Sequence, residues 1–152
     1  MRTYAGVGSR SLATTTNNKT LCELTQPSTA LKRLMAKFIA IGSDATADNA
    51  YTVKVQRVTA AGSGGTSWTP TALDPADGAA SALFRYAETT DPTITSSSDL
   101  LSLSGHQRAN IQWYAPPGGE LVVPVTNSNG IALVCTVLVA AFNSQYTVHW
   151  EE

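Results

Sequence analysis

Tyr51-Thr52-Val53-Lys54-Val55-Gln56-Arg57-Val58-Thr59 sets Tyr51, Val53, Val55 and Arg57 on one side of an extended chain, and Thr52, Lys54, Gln56 and Val58 on the other. A period of two, with β-branched residues on the apolar side, describes a strand that buries one face. Downstream, residues 108–115 form a weaker extended segment that must stop at Pro116-Pro117-Gly118-Gly119, because neither a helix nor a central strand runs through such a sequence. Glu120 to Val125, Ile131 to Phe142 and Tyr146 to Trp150 read as three more strands, with Thr126-Asn127-Ser128-Asn129-Gly130 as the turn between the first two.

Upstream, Thr20 to Thr25 and Thr66 to Pro70 are short strands, Gly62-Ser63-Gly64-Gly65 is a loop, and Leu83 to Ala87 fits either a strand or one helical turn. Leu31, Leu34, Met35 and Phe38 have helical spacing, yet Arg33, Met35, Lys37 and Ile39 also alternate with Leu34, Ala36, Phe38 and Ala40. About eight strands at short spacing, with Gly, Pro and Asn turns, form the pattern of an all-β sandwich of jelly-roll type. That context makes Leu31 to Ile41 a strand. Residues 72–80 are a surface excursion in which Asp74-Pro75 starts a turn. No internal repeat or linker divides residues 1–152, so one β-sandwich domain is expected.

The chain is 43% apolar and only 14% charged, so its surface has to be wetted by neutral groups, chiefly its 20 Thr and 14 Ser. Ten basic and eleven acidic residues, with no basic run longer than Lys32-Arg33, do not build a phosphate-neutralising face; a nucleic-acid partner is not expected. The apolar run Ile131 to Phe142 is too short for a membrane helix, and the first residues lack a secretory apolar core. Synthesis in the cytoplasm without a membrane partner is the expectation.

Chemistry-bearing residues are sparse. Cys22 and Cys135 lack metal-ligand spacing and sit among apolar residues, as small buried side chains or as a disulfide pair. His106 and His149 have no adjacent partner, and Gly6-Val7-Gly8-Ser9 fails the spacing of a nucleophile elbow. Asp44 to Asn49 begins like a calcium loop but lacks its sixth-position Gly and closing Glu, so it reads as a turn. Neither catalytic residues, nor a cofactor, nor a metal site is expected.

Trp68, Trp113 and Trp150 fit core and interface packing, or alternatively a sugar-stacking platform. Arg57, Arg85 and Arg108 lie in or beside strands and call for partners, with Asp74 and Glu120 as candidate acids.

GSDATADNA at 42–50, VQRVTAAG at 55–62, TPTALDPADGAA at 69–80, PPGGELVVP at 116–124, NGI at 129–131 and VHWEE at 148–152 resemble small virion structural proteins of tailed bacteriophages, of the capsid decoration or cement type. The resemblance runs from about Tyr4 to Glu152 and rests on turn-rich words, not on a catalytic signature. It implies a compact all-β protein without catalytic residues that binds the major capsid protein and copies of itself at the capsid surface, as a homo-oligomer such as a trimer. Arg57, Trp68, Arg85, Tyr86, Trp113, Tyr114 and Trp150 are the candidate contact residues. The alternative is a carbohydrate- or receptor-binding module with exposed tryptophans, or a tail or connector component of the same virion.

Overall fold

The computed structural model describes residues 1–13, 18–29, 32–44, 49–138 and 141–152. They form twelve strands: β1 (Thr3–Leu12), β2 (Lys19–Thr25), β3 (Leu34–Ser43), β4 (Ala50–Ala60), β5 (Thr66–Trp68), β6 (Thr71–Ala72), β7 (Leu83–Tyr86), β8 (Thr93–His106), β9 (Ile111–Tyr114), β10 (Leu121–Val123), β11 (Gly130–Leu138) and β12 (Phe142–Glu151). The protein is an all-β sandwich of two antiparallel sheets. The first has the order β10-β3-β12-β1-β6, with β9 also paired to β3. The second has the order β5-β7-β2-β11-β4-β8.

The strand count exceeds the expected eight because β1, the two-residue β6 and β8 were not anticipated. Seven of the ten β1 residues from Thr3 to Ser9 include two Gly and one Ala, which muffle the alternation, and the Ser and Thr of β8 resemble turn composition. The apolar run beginning at Ile131 is divided between β11 and β12 instead of forming one strand. Leu83 to Tyr86 is a strand, not a helical turn.

The ambiguity around Leu34 to Ile41 has a structural cause. The register of β3 against β12 shifts between His149↔Phe38 and Trp150↔Ala36, leaving Lys37 as the extra residue of a bulge. Leu34 and Ala36 before it, and Ile39 and Ile41 after it, are all buried. A one-residue insertion therefore changes the parity of the apolar positions and imitates helical spacing. The strand begins at Leu34; Leu31, the expected start, lies outside the described residues.

Turn chemistry is as the sequence implies. Gly119 N–H donates to the Pro116 carbonyl at 2.8 Å across Pro117 and Gly118, and Gly118 has φ 79°. This is the position of a type II turn that glycine fills without strain. Asn129 N–H closes the next turn on Thr126, and Asp74 caps its own turn through Ala76 N–H at 2.9 Å.

The sheets meet over an aromatic cluster. Trp150 stands opposite Tyr4 in the β1/β12 register, with ring centroids 6.2 Å apart. Phe84 of the second sheet stacks on Trp150 at 6.0 Å and 10°. All three are essentially sealed from water. Phe84 reaches that depth because residue 6 is glycine: a Cβ there would come within 2.6 Å of the Phe84 ring. Two polar ties also cross between the sheets, Tyr146 Oη–H to the Leu21 carbonyl at 2.8 Å and Arg57 Nη1 to the Val122 carbonyl at 2.9 Å. Cys22 and Cys135 are both buried and not joined by a disulfide, so the disulfide alternative does not hold. Burial, reinforced by Glu88 and Glu23, holds the Cys22 thiol well above its usual range, which keeps it protonated and unreactive.

Charge is also drawn inward. Glu23 and Glu88 are 0% exposed. Glu23 Oε2 accepts Gly62 N–H at 3.1 Å, while Arg85, its cross-strand neighbour, donates to the Gly62 carbonyl at 3.0 Å. Arg10 donates to the backbone carbonyls of Thr20 and Glu88. Among the described residues, Glu23 Oε1 and both Glu88 carboxyl oxygens have no hydrogen-bond partner. Burial pushes Glu23 to about 7, with Glu88 adding to the rise against the opposing Gly62 amide and Arg85. Burial raises Glu88 as well.

Two outcomes are expected. Gly6→Ala should destabilise the fold by about 1–3 kcal/mol through overpacking against Phe84, and Trp150→Ala by about 3–5 kcal/mol, both read from urea denaturation followed by tryptophan fluorescence or circular dichroism. For pH, a carboxyl at about 7 in the folded chain and near its ordinary 4.5 when unfolded keeps its proton only in the folded state. Its contribution to stability is then complete below 4.5 and lost as pH rises to about 7. His149, held below 6.5 by burial, acts oppositely below that pH, so the wild type is compared with Glu23→Gln. The stability of the variant relative to wild type should rise between pH 5 and 8 by on the order of 1–3 kcal/mol; parallel pH curves would refute the assignment.

Candidate functional site

The outer face of the first sheet is the part of the surface with a built shape. Register places Tyr114, Phe38 and His149 side by side across β9, β3 and β12. Their rings form a continuous row, Phe38 to Tyr114 at 4.7 Å and Phe38 to His149 at 4.9 Å. Tyr114 is 66% exposed. Burial lowers the His149 pKa, favouring a neutral imidazole against Phe38.

The next row along the same strands is Gln112, Ala40, Thr147 and Val7, and the one after it contains Gly42, Gln145 and Ser9. Ala40 and Gly42 lack bulk where their neighbours carry carboxamides and hydroxyls, so the face sinks into a groove of about 430 Å³. The Asn110 carboxamide lies over Gly42, in the space a Cβ would take. At the far end Trp68 and Tyr86 of the second sheet join the wall. They do so beside β1, which β6 covers only at Tyr4 and Ala5.

The seven residues singled out from sequence go to different places. Trp68 and Tyr86 meet in the groove, and Tyr114 stands exposed in the ring row next to it. Trp113 alternates with Tyr114, pairs with Ile39 and packs against the core. Trp150 is fully buried and offers no surface to a partner. Arg57 and Arg85 are engaged inside the chain with the Val122 and Gly62 carbonyls, not with Asp74 or Glu120 as expected from their strand positions. The three tryptophans therefore do not form a row; the ring row on the outer face comes from tyrosine, phenylalanine and histidine, while Trp68 stands apart at one end of the groove.

Sequence reading missed Ser9, Ala40, Gly42, Asn110, Gln112, Gln145 and Thr147. None carries chemistry alone, and they come from four segments spread over more than a hundred residues. The available signal was weak: neutral polar residues at alternate positions of strands that otherwise read as apolar.

The arrangement is suited to binding. Its lining contains no ionisable group other than tyrosine, so it offers no carboxylate, imidazole or amine for acid–base work. Glu23 and Glu88, the acids with raised pKa values, are sealed from solvent. Among the described residues no group of three or more His, Cys, Asp and Glu is placed to hold a metal ion. Of the calcium-like segment, residues 45–48 lie outside the described residues, and Asp44 accepts Asn143 Nδ2–H at 2.6 Å. No described helix is long and apolar enough to cross a membrane. Comparison with known proteins found no matching family model, no matching curated protein and no matching solved structure.

Proposed function

We propose that this chain is a virion structural protein of a tailed bacteriophage, a capsid decoration or cement protein that works through contacts with the major capsid protein and with copies of itself. The sequence words described above suggest the class, and the observation that carries the reading is the outer edge of β8, which no other described strand pairs. This strand closes one side of the second sheet and has β4 as its neighbour. From Leu101 to Gly105 it pairs with Val55 to Tyr51 without a break, so its outer edge is regular, and among the described residues no other strand pairs with it. From Thr93 to Asp99 three register shifts, and Ser97 at φ 55°, make the edge irregular. One end of β8 is thus blunted against indiscriminate pairing and the other is available.

The side chains at that end suit a contact between neutral surfaces. Ser102 and Ser104 are exposed, and Ser104 shares a 3.0 Å hydrogen bond with Thr52. Hydroxyls are desolvated at lower cost than charges and can be satisfied across an interface. Repeated over many copies on a lattice, such contacts stabilise an assembled shell by mass action.

The test combines light scattering of the purified protein with co-sedimentation on capsid shells of the phage that encodes it. A defined oligomer that sediments with shells is expected. Ser104→Lys, which places a charge on the open edge, should reduce oligomerisation or shell binding by about tenfold or more with little change in unfolding midpoint. A monomer that ignores shells, or unchanged assembly in Ser104→Lys, would refute this reading.

A further inference from the structure

We infer that the groove on the outer face of the first sheet is a binding site for an uncharged oligosaccharide, stacked against Trp68 and hydrogen-bonded by Asn110, Gln112 and Gln145. The groove lies on the first sheet and at the β5 end of the second, the end opposite the β8 edge, and the inference stands or falls independently of the virion assignment.

Charge selects the ligand class first. Among the described residues no Lys, Arg, His, Asp or Glu lines the groove, so a phosphate, a carboxylate or an ammonium would lose hydration there without a counter-charge. A ligand rich in neutral hydroxyls meets no such penalty. Each carboxamide offers two N–H donors and one oxygen acceptor, and each sugar hydroxyl both donates and accepts. Asn110, Gln112 and Gln145 supply three such groups along one face, with the Thr147 hydroxyl beside Gln145 on β12 and the Ser9 hydroxyl opposite Gln145 on β1.

Shape points the same way. Ala40 and Gly42 form a low floor in the middle of the sheet, where bulkier residues would have filled the space with their own side chains. The volume of about 430 Å³ is within the roughly 300–1,000 Å³ of small-molecule sites. At one end Trp68, 37% exposed on the short edge strand β5, presents part of a large ring to solvent. An amphipathic ring of this kind packs on the C–H face of a pyranose while the amides hold its hydroxyl edge.

Length follows from the neighbouring row. Gln112 and Tyr114 lie on the same face of β9, and Tyr114 Oη–H donates to Gln112 Oε1 at 3.4 Å. The Tyr114, Phe38 and His149 rings therefore continue the surface beyond the groove. This favours a chain of several sugars over a single one.

The experiment titrates the intact protein with maltohexaose, cellohexaose, chitohexaose and mannohexaose, using a galacturonate hexamer as the charged control, by calorimetry and tryptophan fluorescence. At least one neutral hexamer should bind and perturb the fluorescence of Trp68, and the galacturonate should not. Trp68→Ala and Gln145→Ala should each weaken that binding by about tenfold. Ala40→Arg, pointing into the groove from the outer face, should abolish it. Unfolding midpoints measured beside each titration confirm that the variants fold. Absence of binding by all four neutral hexamers, equal binding of the galacturonate, or binding unaffected by Trp68→Ala and Ala40→Arg in folded protein would each overturn the proposal.

Discussion

The stacking of Phe84 on Trp150 through the gap left by Gly6 is the contact on which the sandwich turns. It joins β7 of one sheet to β12 and β1 of the other, and Tyr4 completes the cluster from across the strand pair. Three large rings removed from water supply a substantial share of the apolar burial between the sheets. Such close packing needs a position without a side chain directly beneath the ring. The Tyr146 and Arg57 hydrogen bonds then fix the relative placement of the two sheets at other points along the interface.

That inward economy shapes the exterior. With only 14% charged residues, the chain commits Arg10, Glu23, Arg85 and Glu88 to buried or half-buried positions at the second sheet. Around the groove the outer face of the first sheet is left to amides, hydroxyls and rings, with the Lys37–Glu151 ion pair elsewhere on that sheet, and the regular end of β8 carries exposed serines. Both surfaces can give up water at low electrostatic cost. A chain built in this way is equipped for recognition by contact, and the two carboxyls raised by burial, Glu23 and Glu88, are enclosed where they affect folding stability instead of substrate.

Legibility varied with how local the determining physics was. The strand around Val53, the turn at Gly118 and the cap at Asp74 were readable because period, φ preference and side-chain capping act within a few residues. The Leu34 to Ile41 segment was ambiguous because a single bulged residue, Lys37, shifts the alternation, and that bulge exists only through the register with β12. β1 was missed for a related reason: Gly6 and Gly8 replace apolar residues on its inward face, leaving room for Phe84 and Tyr146 that belong to distant segments. Arg57 was rightly set on the inward side of β4, but its partner, a backbone carbonyl of β10, has no sequence signature.

By itself, then, the sequence determined an all-β chain with a neutral surface and few groups fit for catalysis, since composition and short-range periodicity are properties of neighbouring residues. The tertiary structure alone decided which aromatic rings are core and which are exposed, sending Trp150 inward while leaving Tyr114 and Trp68 accessible. It alone also assembled the groove from β1, β3, β9 and β12 with the Trp68 edge. The reason is that strand pairing is non-local: residues far apart in the chain become adjacent only when registers are chosen by the burial of the opposite face.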